Sequence, residues 1–520
     1  YVTFEKLIQD PVGNLTVIYE EMKSDYEKCV YEFNHTRFQT VNAKERFKDA
    51  LENYQHEIGR FRKGIDQIEY RDFVKKAFVY MNKTFMTKLD GEHRQISGWR
   101  LFQIVFIVSL ICEMIRSEYK NDPNIAEADI ETANLLYFPT GGGKTEAFLG
   151  ACVFNMFFDR LRGKNDGITA FLKYPLRLLA VQQLDRVLMI VMKANVVRES
   201  SGELAHKTPF QVGFFVGKGN TPNKIDSFER LSERGDKNKA KDLILESDPE
   251  TLNEYYRFID TCPYCGKKHV NLRFNRDTWR LEHVCDNPEC PIMVLPLMIV
   301  DNEIYRYLPS IVVSTIDKMA MLGTSNDFKM LFGQVKKKCP VHGFTGNAKC
   351  SCASCGGHVL QNVGLLKDPI PTLFIQDEMH LVKESLGTFD AHYESFLSYY
   401  AKELVPEAQR KLIRFVGATA TISMYESHIW HLYHMDGRRF PCEYPSAEAG
   451  KDFYSYTDNN DITRILIGYA PYGRSITDGM WESVYIMRLV VYRMIQFLEE
   501  SYEKLCAAGF SGSIDEYRDM

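Results

Sequence analysis

Leu135-Leu136-Tyr137-Phe138-Pro139-Thr140-Gly141-Gly142-Gly143-Lys144-Thr145 is the stretch that decides the fold of this 520-residue chain. An apolar run able to form a buried strand stops at Pro139-Thr140 and three glycines. An apolar-periodic segment, Ala147 to Phe158, begins just after Lys144 and Thr145. The pattern predicts strand, loop and helix. Without side chains on Gly141, Gly142 and Gly143, the loop, which includes Thr140, can turn its N–H groups around an anion at the helix N-terminus. The helix dipole favours negative charge there as well. Lys144 then reaches the β- and γ-phosphates and Thr145 ligates Mg²⁺, which makes ATP the expected ligand. The departure from the strict phosphate-loop pattern is Phe138, which stands where the first glycine would be.

A second segment supplies the chemistry such a loop needs. Pro371 to Ile375 reads as an apolar strand, with Gln376-Asp377-Glu378-Met379-His380 at its carboxyl end. In-line hydrolysis of a terminal phosphate needs one carboxylate to hold the metal and one to position and deprotonate the attacking water. Asp377 takes the first task and Glu378 the second, with His380 as a catalytic neighbour placed where an adjoining lobe could sense the site. A strand from Ile413 to Ala418 ends in Thr419-Ala420-Thr421, and the hydroxyls of Thr419 and Thr421 can bond the acidic pair and transmit its state.

Two more strands are expected in the same sheet. Gly167 to Tyr174 runs into Pro175-Leu176-Arg177 and a helix bearing Gln182 and Gln183, and Ser310 to Thr315 precedes Asp317-Lys318. At the carboxyl edge of a parallel sheet, Pro175, Arg177 and Gln182 offer a track for nucleic-acid phosphates. Thr315 either touches a phosphate or caps the following helix.

Eight of the thirteen cysteines fall between Cys262 and Cys355. Cys262-Pro263-Tyr264-Cys265-Gly266 is a metal knuckle. Cys285 and Cys290 supply a second pair after a segment that alternates as a hairpin does. Four thiolates with no open position suit a structural, tetrahedral Zn²⁺, with His283 a possible substitute ligand. Cys339 and His342 open a second zinc cluster, in which Cys352 and Cys355 have the better spacing, Cys350 is an alternative and His358 is an outsider. The odd cysteine total fits a disulfide framework poorly, so a reducing cytoplasm is the expected location.

The length is enough for two to four domains. A net charge of −5 with 26% charged residues argues against a wholly basic nucleic-acid coat and leaves room for a local basic groove. No apolar run approaches a membrane span and no secretory leader opens the chain, so no membrane association is expected. Residues 1–95 show helical spacing in Tyr26, Val30 and Phe33 and again in Phe47, Leu51, Tyr54, Ile58 and Phe61, which predicts amphipathic helices. From Glu199 to about Asn253 the composition is polar and charged, as in a solvated insertion or a basic clamp. Beyond Ser423 come an aromatic, His-rich segment, a strand-like run from Ile465 to Ser475 and an amphipathic helix from Met480 to about Leu505.

Phe138 to Ala147, Tyr174 to Gln183, Ser314 to Lys318, Gln376 to Leu381 and Gly417 to Ile422 resemble, in this order, motifs I, Ia, Ib, II and III of superfamily 2 DExH-box helicases. With Leu386-Gly387-Thr388 and the cysteine-bearing insert, the chain more narrowly resembles the DrmA family, the helicase components of the bacterial antiphage system DISARM. The resemblance implies an α/β fold. It places a RecA-like P-loop ATPase lobe at 96–425, with zinc-ribbon inserts at about 199–365. An N-terminal helical region at 1–95 precedes the lobe, and a linker with the beginning of a second lobe follows at 426–520. It also implies a DNA-dependent ATPase working with a DrmB-like partner. Gln103 gains the role of bonding the adenine edge, where the residues alone give only a polar helix start. Motifs IV to VI are not in the chain, so the arginine finger is expected from sequence beyond Met520, and this portion alone is expected to be weakly active or inactive. Two functions follow: an ATP-driven helicase or translocase, or an ATP-gated DNA-binding module without processive unwinding.

Overall fold

The computed structural model describes residues 2–92, 96–126, 132–139, 141–217, 221–225, 249–319, 325–350, 352, 355–420, 424–447, 451–455, 473, 475–510 and 512–514. They divide into two compact units, Tyr1–Tyr456 and Thr457–Met520. In chain order the first strands are β1 (Thr132–Tyr137), β2 (Ala170–Tyr174), β3 (Val212–Phe215), β4 (Val270–Asn275), β5 (Arg280–Cys285), β6 (Leu297–Met298) and β7 (Ile311–Thr315). They are followed by β8 (Lys337–Cys339), β9 (Gly343–Thr345), β10 (Gln361–Asn362), β11 (Leu373–Gln376), β12 (Arg414–Thr419) and β13 (Asp436–Phe440).

Eight of these form one sheet in the order β13-β1-β12-β11-β2-β7-β3-β6, and every neighbouring pair is parallel. The central strands are continuous apolar runs because both faces of the sheet are covered. Successive side chains sort to opposite faces: Leu136, Leu172, Val313, Ile375 and Val416 join one core, while Leu135, Phe171, Val312, Phe374 and Phe415 join the other. The first core also takes in the N-terminal helices α1 (Phe4–Gln9), α2 (Pro11–His35), α3 (Val41–Tyr70) and α4 (Asp72–Met86) and the apolar helix α5 (Leu101–Ser109). Further along are α6 (Ile111–Ile115), α7 (Pro123–Ala126), and the two helices that flank the glycine loop and β2, α8 (Lys144–Leu161) and α9 (Arg177–Ser200).

The N-terminal helices are fastened to the sheet. Where α3 crosses α5, a Cβ on Gly64 would lie 2.1 Å from the Val108 carbonyl oxygen, so only glycine allows this approach. Arg60 of α3 donates to Glu113 and to Asn134 of β1. Among the described residues, no helix is long and apolar enough to cross a membrane.

Three features differ from the sequence reading. β3 and β6, with four and two buried residues inside longer apolar runs, lie within the stretch expected to be an insertion. Residues 436–440, expected beyond the first lobe, form an edge strand beside β1. Its charge is accommodated by Arg439, whose guanidinium lies 4.1 Å from the centre of the Tyr137 ring. In the second unit the expected long helix is two helices, Ile476–Gln496 and Leu498–Ala507. Residues 465–472 lie outside the described residues.

Lys173 of β2 is fully buried and pairs with Asp390, at 3.1 Å, and with Glu394, both on the helix Glu384–Tyr399. Lys173→Met leaves two buried carboxylates without their cation, which is expected to cost about 3–5 kcal/mol. A lower denaturation midpoint with an unchanged slope in urea is the expected readout.

Candidate functional site

The glycine loop leaves the sheet beside β12, where the Phe138 N–H donates to the Thr419 carbonyl at 3.3 Å. The Phe138 ring stacks on Phe102 with centroids 3.8 Å apart, and a Cβ on Gly142 would lie 2.5 Å from it. The aromatic ring at this position therefore lines the underside of the loop. Gly141 and Gly143 have φ of 77° and 92°, in the left-handed region that glycine adopts without strain. A Cβ on Gly141 would meet nothing, so the loop is open on that side.

Lys144 is buried, and its Nζ donates to the carbonyls of Phe138 at 2.8 Å and Pro139 at 3.4 Å. Burial lowers its pKa while Glu378 and Asp377 oppose that shift. Gln103 donates from Nε2 to the Gly143 carbonyl at 2.8 Å and accepts from the Arg100 N–H at 2.8 Å. Arg100 in turn donates to the Gly142 carbonyl at 2.7 Å. Gln103 and Arg100 thus hold the backbone of the loop. Trp99 fixes this segment to α4 through Asn82, at 2.8 Å. Thr140 lies outside the described residues.

Asp377 and Glu378 follow β11, two strands from β1 in the sheet, and reach the same cleft. The cleft, about 470 Å³, is lined by Gln103, Gly141, Gly143, Lys144, Thr145, Asp377 and Glu378. Burial raises the Asp377 pKa to about 6, helped by the Glu378 charge and opposed by the Glu378 N–H, Lys144 and Arg186. Glu378 has a φ of 48°, uncommon for a non-glycine residue, and its N–H donates to Asp377 Oδ1 at 2.9 Å. His380 Nδ1 lies 3.2 Å from Glu378 Oε2 and 3.0 Å from Thr419 Oγ1, bridging the acidic pair to the end of β12. Thr421 lies outside the described residues.

Arg100, Glu146 and Arg186 also line the cleft, and the sequence reading did not pick them out. Two signals pointed to them: Glu146 two positions after Lys144, and Arg186 one turn after Gln182 and Gln183 on the same helix. At the nearby edge, Pro175 is buried, Gln182 is exposed, and Arg177 pairs with Asp317 at 3.4 Å. Thr315 does not fit either of its expected roles. As the last residue of an interior strand it is fully buried, and its Oγ1 has no hydrogen-bond partner among the described residues.

Cys262, Cys265, Cys285 and Cys290 bring their four thiols within 4.8 Å of one another. The Cys262–Cys290 and Cys265–Cys285 sulfur separations are 3.9 and 3.8 Å. A tetrahedral zinc with Zn–S bonds of about 2.3 Å requires sulfur separations of about 3.8 Å. The antiparallel hairpin β4–β5 carries Cys285 on its second strand, in register with Val270. His283 is not in the group. It is fully buried, its Nε2 accepts from the Phe258 N–H at 3.4 Å, and burial pushes its pKa down to about 3.

The second group is Cys339, His342, Cys350 and Cys355. This corrects the expected choice of Cys352. Cys352 closes the turn with its carbonyl, which accepts the Cys355 N–H at 3.2 Å, and its thiol meets that of Cys350 and lies near Arg306 without joining the group of four. His342 Nδ1 is 3.5 Å from Cys339 Sγ, about the S–N separation of a tetrahedral zinc site. Its Nε2 faces the Asp277 carbonyl at 3.0 Å, which fixes the ring for coordination through Nδ1 and ties this site to the tip of the first hairpin. His358 stands apart, its ring 6.0 Å from that of His342.

The described residues define an α/β protein with one parallel sheet, a glycine loop and an acidic pair in one cleft, and two four-ligand groups fit for zinc. No model of a known protein family matches the chain. The chain is a homologue of the DISARM protein DrmA of Bacillus paralicheniformis, 29% identical over an alignment of 518 residues. That alignment takes in 92% of this chain and 43% of the relative, so the chain spans less than half of that protein's length.

Proposed function

We propose that this chain carries the ATP-hydrolysing RecA-like lobe of a DNA helicase or translocase in a bacterial antiphage defence system. The observation that carries this reading is the meeting of Lys144, Asp377 and Glu378 in one cleft, from segments far apart in sequence. The homology to DrmA supports the defence setting. The loop from Thr140 to Thr145 and the Lys144 ammonium bind the phosphates of ATP. Thr145 and Asp377 would hold Mg²⁺, which neutralises phosphate charge. Glu378 orients the attacking water and accepts its proton. His380 carries the state of Glu378 to Thr419, and Pro175, Arg177 and Gln182 border the DNA track. An arginine finger from a second motor lobe would complete the site, and a DrmB-like protein is the partner. Cysteines gathered as zinc-ligand thiols and not as disulfides suit a reducing cytoplasm.

Strand displacement tests the motor. ATP-dependent release of one strand from a tailed DNA duplex by the full-length protein is expected. Hydrolysis with no displacement on either tail polarity would instead favour an ATP-gated DNA clamp. Thr419→Val removes the hydroxyl that meets His380 and is expected to lower the ratio of DNA-stimulated to basal hydrolysis several-fold. An unchanged ratio would exclude this route of coupling.

A further inference from the structure

Arg186 reaches the cleft from α9. Its Nη2 pairs with Glu146 Oε1, and its Nη1 lies 3.4 Å from Gln183 Oε1. The pair is open to the cleft, with the Arg186 side chain 44% and the Glu146 side chain 25% exposed. Glu146 sits in the first turn of α8, whose N-terminus abuts the glycine loop. A polyphosphate bound at that loop and the Glu146 carboxylate would compete for the same helix end and the same guanidinium.

An ion pair this exposed is weak, so little is lost when it exchanges. A guanidinium fork on phosphate oxygens forms strong, charge-assisted hydrogen bonds. Arg186 also acts on Asp377, so its charge is felt at the acidic pair. We propose that Arg186 is a second phosphate-binding cation of this cleft, held by Glu146 until the polyphosphate of a nucleotide displaces that carboxylate. The proposal rests on the nucleotide-site reading above and adds to it a residue and an exchange.

The two partners should act with opposite sign. In titrations of the full-length protein with a fluorescent, slowly hydrolysed ATP analogue, Arg186→Ala is expected to weaken binding about tenfold. Glu146→Gln is expected to tighten it about threefold, and that gain should vanish in the Arg186→Ala background. Wild-type affinity in Arg186→Ala overturns the proposal. So does weakening by both single variants, which would mark a merely structural pair, or tightening by Glu146→Gln that persists without Arg186. Thermal unfolding of each variant checks that the fold is intact, and Glu146→Gln keeps the test of sign should Arg186→Ala unfold. Failure of the wild type itself to bind the analogue overturns the nucleotide site, and this proposal with it. Binding abolished by Lys144→Ala but untouched by Arg186→Ala overturns only the proposal.

Discussion

Lys144→Ala abolishes ATP hydrolysis by the full-length protein, and Glu378→Gln lowers it by roughly 10²–10⁴ while ATP stays bound. The two variants differ because the side chains do different work. Lys144 is the buried cation at the head of α8, and its acceptors among the described residues are the loop carbonyls of Phe138 and Pro139. Phosphate oxygens are better acceptors for an ammonium than neutral carbonyls, so loss of Lys144 removes binding and hydrolysis together. Glu378 lies across the cleft beside His380, where loss of its negative charge removes the base but no phosphate contact. Phosphate release and nucleotide binding, measured side by side, separate the two. Wild-type turnover by Glu378→Gln would remove the water-activating role from this residue.

Metal analysis of the purified protein gives two zinc ions per chain, and Cys262→Ser or Cys290→Ser leaves one. Closed four-ligand zinc sites contribute on the order of 10–16 kcal/mol to the folding of the segments they hold. The first knuckle also has a neighbour to lose. The Gly91 N–H donates to the Tyr264 carbonyl at 2.8 Å, and a Cβ on Gly91 would lie 2.2 Å from the Gly266 nitrogen. Removing the first zinc is therefore expected to expose the β4–β5 hairpin and the segment after α4 to proteolysis. At the second site Cys350→Ser loses its zinc and Cys352→Ser keeps it. The reverse result would restore the choice that spacing alone suggested, and absence of zinc from the wild type would remove both centres.

Much of this was legible because burial on both faces writes strands as apolar runs. β1, β2, β7, β11 and β12 each end in the residues that the sequence marks for chemistry, and the expected hairpin between the first cysteine pairs is present, alternating in burial on β4 but buried almost throughout on β5. What was hidden depends on partners distant in the chain. Val212 and Leu297 lie in apolar runs, but the runs do not show which sheet they join; β3 takes its place by pairing with β6 and β7. Spacing identifies a set of thiols but not which of Cys350 and Cys352 closes the turn with its backbone. Arg186 and Glu146 are ordinary helical charges until α8 and α9 are set side by side. The N-terminal helices showed their periodicity but not their task, which Arg60 and Asn82 reveal by bonding β1 and the segment before Gln103.

The most direct test of a DNA-coupled ATPase is steady-state ATP hydrolysis by the full-length protein with and without DNA. A rate that rises several-fold on adding DNA, and that Lys144→Ala eliminates under both conditions, is the expected result. Equal rates with and without DNA, or no hydrolysis in either, would contradict it.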